Sequence, residues 1–110
     1  MGSMWSVRRK PYAPPIAYGR LMARLIVYDG FIEARSRVWS ERLGKNIDEM
    51  LRTIELMPGV GSAIVPDSIQ EEFGSNVLRA VVSPFEIVYE YDKDADTAFV
   101  YDLLYAPSVP

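Results

Sequence analysis

The chain lacks two of the residue types that do most enzyme chemistry. It has no histidine and no cysteine. That removes the imidazole base, the commonest metal ligand, the thiolate nucleophile and any disulfide. What remains is a set of carboxylates, tyrosines and scattered cations. Asp92, Asp94 and Asp96 follow the one-three-five spacing of a calcium loop, but Thr97 stands where that loop needs glycine and Leu103 where it needs glutamate. A solvated hairpin turn fits better. Gly59 and Gly61 follow an apolar helical stretch and not a strand, so they end a helix instead of cradling phosphate. Arg8-Arg9-Lys10, close to Trp5 and Tyr12, is a basic run that could touch phosphate, although it equally suits a solvated strand edge. No cofactor and no metal is expected.

The densest candidate chemistry lies in VLRAVVSPFEIVYEYD, residues 77–92. Period-two alternation on both sides of Ser83-Pro84 predicts two antiparallel strands with that dipeptide as the corner. In this register Val82 faces Phe85 and Arg79 lies opposite Val88. Glu86 and Glu90 are then the diagonal neighbours of Arg79 on one face. A slip by one residue would carry Arg79 to the tyrosine face instead. Tyr89, Tyr91, Tyr101 and Tyr105 alternate along strands, where packing is their default role.

The 110 residues make one domain with a single modest core, and no internal repeat is visible. Met1-Gly2-Ser3 before Met4 reads as a cloning scar and is set aside, leaving 4–110 as the domain. The apolar runs are too short to cross a bilayer, and the expected residence is cytoplasmic. Charge is unevenly distributed. Residues 1–52 hold ten Lys/Arg and five acids, whereas residues 53–110 hold two and ten, so a net +5 half precedes a net −8 half.

The elements that must position these groups are read from periodicity. Trp5 to Lys10 suggests a short first strand. Tyr18, Leu21, Met22, Leu25 and Tyr28 recur at helical spacing after Pro15, with Asp29-Gly30 as the stop. Trp39, Leu43, Ile47, Met50, Leu51, Ile54 and Met57 form a second stripe, with Gly44 as a possible interruption and Asn46 as a possible internal cap. Residues 62–75 show no period and read as a connection. Strands are expected at 76–83, 85–92 and 97–105, giving an α+β domain in which a helical hairpin packs on a small antiparallel sheet.

This order resembles the RelE/ParE superfamily of type II toxins. The matching residues are Met22-x-x-Leu25-x-x-Tyr28, then Pro58-x-x-Gly61, Leu78-Arg79, Pro84-Phe85-x-Ile87-Val88-Tyr89, and an apolar last strand ending near Tyr105. The resemblance implies a β-α-α-β-β-β domain, a cytoplasmic toxin, and a cognate antitoxin that holds it in a hetero-oligomer. It leaves two mechanisms open. RelE-like members cleave mRNA on the ribosome, which here would fall to Arg79 for phosphate stabilisation and Tyr105 for proton transfer. ParE-like members inhibit DNA gyrase by binding, with the helical hairpin and residues 103–110 as contact surfaces.

The cleavage route needs cations around a developing phosphorane. This chain has Glu90 where many active members carry arginine, and its second half is acidic. The ParE-like branch is therefore the expectation, with Arg79, Glu86, Glu90 and Tyr105 as the candidate functional surface and no catalytic residue favoured. A decayed toxin that keeps only antitoxin binding is a further alternative.

Overall fold

The computed structural model describes residues 22–107. The expected first strand at Trp5–Lys10 lies outside them. Four strands form one mixed sheet: β1 (Arg24–Val27), β2 (Leu78–Val82), β3 (Phe85–Asp92) and β4 (Thr97–Tyr105), ordered β1-β4-β3-β2. Among the described residues three helices accompany it, α1 (Asp29–Ser36), α2 (Glu41–Leu56) and α3 (Asp67–Phe73), with a 3-10 turn at Pro58–Val60. The expected α+β class and strand–helix–helix–three-strand order hold, and α3 is an addition to them.

β1 corrects the sequence reading. Residues 24–27 are a strand where helical spacing predicts a helix, so Met22-x-x-Leu25-x-x-Tyr28 is not a helical motif. Leu25 and Val27 pack against the core while Arg24 and Ile26 face outward, which is a period of two. β1 runs parallel to β4, with Leu25 opposite Ala98 and Val27 opposite Val100, so the sheet is not purely antiparallel. Asp29-Gly30 opens α1 instead of ending a helix, and Phe31, 2% exposed, anchors that helix in the core.

α2 is a single helix that Gly44 does not interrupt. Ser40 caps it, its hydroxyl accepting from the Leu43 amide at 3.3 Å, and Asn46 lies within the helix. Gly44 is buried beneath α1: a Cβ there would come within 2.7 Å of the Arg35 guanidinium. That guanidinium donates to both carboxylate oxygens of Asp48, at 3.0 and 2.9 Å, and ties α1 to α2. Ile47 and Ile54, both fully buried, seat α2 on Ala80, Ile87, Tyr89 and Leu103 of the sheet. Each such side chain contributes about 2–3 kcal/mol of apolar burial. Trp39, expected in this stripe, precedes the helix and is 92% exposed.

The β2–β3 hairpin has the expected register, Val82 opposite Phe85 and Arg79 opposite Val88, around a cis Ser83-Pro84 bond. β3 and β4 are joined by a turn in which the Asp92 carboxylate accepts from the amides of Asp94 and Ala95. Residues 62–75 are not a structureless connection. Val65, together with Ile69 and Phe73 of α3, packs on Val77, Val88, Tyr101 and Leu104. Neighbouring strand residues point to opposite sides, so α3 lies on the sheet face away from α1 and α2.

Candidate functional site

Arg79 is engaged through both its backbone and its guanidinium. Its backbone pairs with Ser62 in both directions, Ser62 N–H to Arg79 O at 2.8 Å and Arg79 N–H to Ser62 O at 3.0 Å, which closes the outer edge of β2. The guanidinium donates from Nε to the Ile64 carbonyl at 3.0 Å and from Nη1 to Glu86 Oε2 at 2.7 Å. The two side chains of this ion pair are 29% and 13% exposed. Glu86 is therefore the carboxylate that neutralises Arg79, as the diagonal placement predicts.

Glu90 is not a partner of Arg79 in this way. A register shift between Val88 and Tyr89 gives β4 an extra residue: Val88 pairs with Asp102 and Tyr89 with Val100, leaving Tyr101 between them. The bulge carries the Tyr101 ring onto the α3 face, where it meets Tyr28 edge-on at 5.0 Å and stacks on Phe73 at 5.9 Å. Its hydroxyl donates to Glu90 Oε1 at 3.1 Å. Burial, and then the neighbouring Glu90 carboxylate, push the Tyr101 hydroxyl up to about 12, so it stays protonated and donating throughout the ordinary pH range.

Tyr105 lies elsewhere. It pairs with Phe85, which pairs with Val82, and this row belongs to the face of Ile87 and Leu103 that α1 and α2 cover. The ring is 68% exposed at the end of β4, edge-on to Phe85 at 5.7 Å. Arg79 shares the other face with Glu86. The sheet thus stands between Arg79 and Tyr105, and their side chains do not converge on one reacting phosphate.

Two residues that sequence reasoning leaves as packing and punctuation also carry the site. Tyr89 is fully buried, and its hydroxyl donates to Pro58 O at 2.6 Å while accepting from Gly61 N–H at 2.8 Å. Burial holds this hydroxyl above the usual tyrosine range. Gly61 is required sterically, because a Cβ would meet the Tyr89 ring and hydroxyl at 2.8 Å. The Pro58-x-x-Gly61 spacing was legible, but its tyrosine partner lies 28 positions beyond Gly61. Chemically the arrangement is a set of paired donors and acceptors, with Arg79, Glu86, Glu90 and Tyr101 on one sheet face and Tyr89 on the other, suited to holding backbone and surface in place.

The sequence matches no protein-family model and no curated protein. Solved structures match by shape. The RelBE2 toxin–antitoxin complex from Mycobacterium tuberculosis matches with a TM-score of 0.63 and 10% identity, over 80% of this chain and 95% of the matched one. The isolated RelE toxin of E. coli matches at 0.60 and 10% identity, over 79% and 87%. A RelE–RelB complex from Pyrococcus horikoshii matches at 0.60 and 12% identity, over 79% and 98%. At such identities the agreement is one of fold, and the chain has the fold of the RelE toxins.

Proposed function

We propose that the chain is the toxin of a type II toxin–antitoxin pair, that it acts in the cytoplasm by binding DNA gyrase, and that a cognate antitoxin neutralises it. The toxin role is supported by the RelE fold over nearly the whole length of the matched chains, two of which were solved as toxin–antitoxin complexes. Action by binding is supported chiefly by the engagement of Arg79. Its guanidinium is held by Glu86 and the Ile64 carbonyl, on the opposite sheet face from Tyr105. A phosphate approaching that face meets Glu86 and Glu90, not a converging set of cations.

The test is controlled expression of the chain without antitoxin, read in two ways. Gyrase-dependent DNA breaks with intact mRNA are expected. Site-specific mRNA cuts in a translating extract would overturn the reading in favour of a ribosome-dependent endoribonuclease. Growth that proceeds unimpaired would reduce the chain to an antitoxin-binding remnant.

A further inference from the structure

We infer that residues 62–74 are a latched strap that opens from the sheet as one unit, uncovering Arg79 and the apolar strip of Val77, Val88, Tyr101 and Leu104 while the rest of the fold stays intact. This goes beyond the choice of cellular target, since it concerns access to the sheet face opposite α1 and α2.

The strap has two distinct ends. At one, the Tyr89 hydroxyl grips Pro58 O and Gly61 N–H, so the chain is fixed up to residue 61. At the other, Gly74 sits at φ 104°, a left-handed conformation open to glycine at little strain. Between them, among the described residues, the strap is held by the packing of Val65, Ile69 and Phe73 and by a handful of polar contacts. Ser62 and Arg79 exchange backbone hydrogen bonds, Arg79 Nε reaches Ile64 O, and Phe73 stacks on Tyr101. Only Val65 is buried; no residue of α3 is. A seven-residue helix has no stability of its own and depends on that seating.

Charge weakens the seating further. Residues 62–74 carry Asp67, Glu71 and Glu72 without a single cation. The face beneath holds Glu86 and Glu90. Among the described residues Arg79 is the cation that links the two, and it makes its link to a backbone carbonyl. The opposite layer is different in kind: α2 buries Ile47 and Ile54 completely, and α1 buries Phe31. Opening the strap therefore sacrifices much less than separating α1 and α2 from the sheet.

Hydrogen–deuterium exchange on the full chain tests this through amides with known acceptors. The strap reporters are Ser62 N–H to Arg79 O, Gln70 N–H to Pro66 O and Gly74 N–H to Gln70 O. All three should exchange with one common protection factor, about 100-fold lower than that of the β3 amides and largely insensitive to low urea. Phe73→Ala should speed the three together by about tenfold while β3 stays unchanged. Two results would overturn the inference. In one, the strap amides share the protection and urea dependence of β3, so that opening requires global unfolding. In the other, Gly74 and Gln70 exchange quickly while Ser62 stays as protected as β3, so that α3 merely frays. Both are read on the unmutated protein, so the test stands even if the alanine variant fails to fold.

Discussion

Replacing Arg79 by alanine separates a structural arginine from a phosphate-binding one. The substitution removes a 2.7 Å ion pair to Glu86 and a 3.0 Å bond to the Ile64 carbonyl. With side chains 29% and 13% exposed, the pair is worth about 1 kcal/mol, near the upper end for surface pairs. The lost bond to Ile64 adds about 1 kcal/mol. The total of about 2 kcal/mol corresponds to a fall in Tm of roughly 10 °C for a domain of this size. Arg79→Lys can keep the ion pair but not the fork that also reaches Ile64, so it should fall by about half as much. In urea unfolding, a double-mutant cycle with Glu86→Gln should give a coupling of about 1 kcal/mol. Growth inhibition by Arg79→Ala, measured well below its Tm, should persist. A cost below about 0.5 kcal/mol with no coupling would refute the structural argument. Abolished toxicity in a variant of unchanged stability would refute the binding reading instead.

Tyr89→Phe strands Pro58 O and Gly61 N–H beside a buried ring, and urea midpoints should show a loss of about 2 kcal/mol. The Asp48 carboxyl is held below the usual carboxylate range by its hydrogen bonds from Arg35. A lowered native pKa gives stability that is present above the unfolded value near pH 4 and lost as pH falls through the native one. The stability gap between wild type and Asp48→Asn should therefore narrow on acidification from pH 7 to 3. Tyr101 is the reverse case: with its native value raised to about 12, its contribution is complete below the unfolded value near 10 and is lost as pH rises through the native one. Tyr101→Phe should flatten the alkaline unfolding curve over that interval, and phenolate absorbance should show one tyrosine fewer titrating late.

Sequence served best where a corner or a long stripe constrained it. Ser83-Pro84 pinned the β2–β3 register, and with it the Arg79–Glu86 pair, because a two-residue connection leaves no slack. The Ile47–Ile54 stripe identified α2 for the same reason that it buries: a one-sided helix has one face to hide. The failures came from short segments. In four residues, Leu25 and Tyr28 satisfy a helical spacing while Leu25 and Val27 satisfy an alternating one, and only the parallel partner β4 decides between them. Ile69 and Phe73, four apart, are too brief a pattern to announce α3. The Glu90–Tyr101 bond depended on a bulge, which no local pattern in β4 foretells. Trp39 looked like core because it fell on the extrapolated α2 stripe, but Ser40 starts the helix after it.

The parallel β1–β4 pairing has a consequence for how the molecule comes into being. Val27 waits for Val100, and β4 lies between β1 and β3. During translation β1 thus has, among the described residues, no neighbour in the sheet until β4 has been made, and their pairing closes a long loop of the kind that slows folding. A nascent chain halted between β3 and β4 contains α1, α2 and the β2–β3 hairpin but lacks the strand that joins β1 to them, which leaves apolar surface and strand edges exposed. The RelE-shaped sheet is complete only once β4 has been made and has taken its place between β1 and β3.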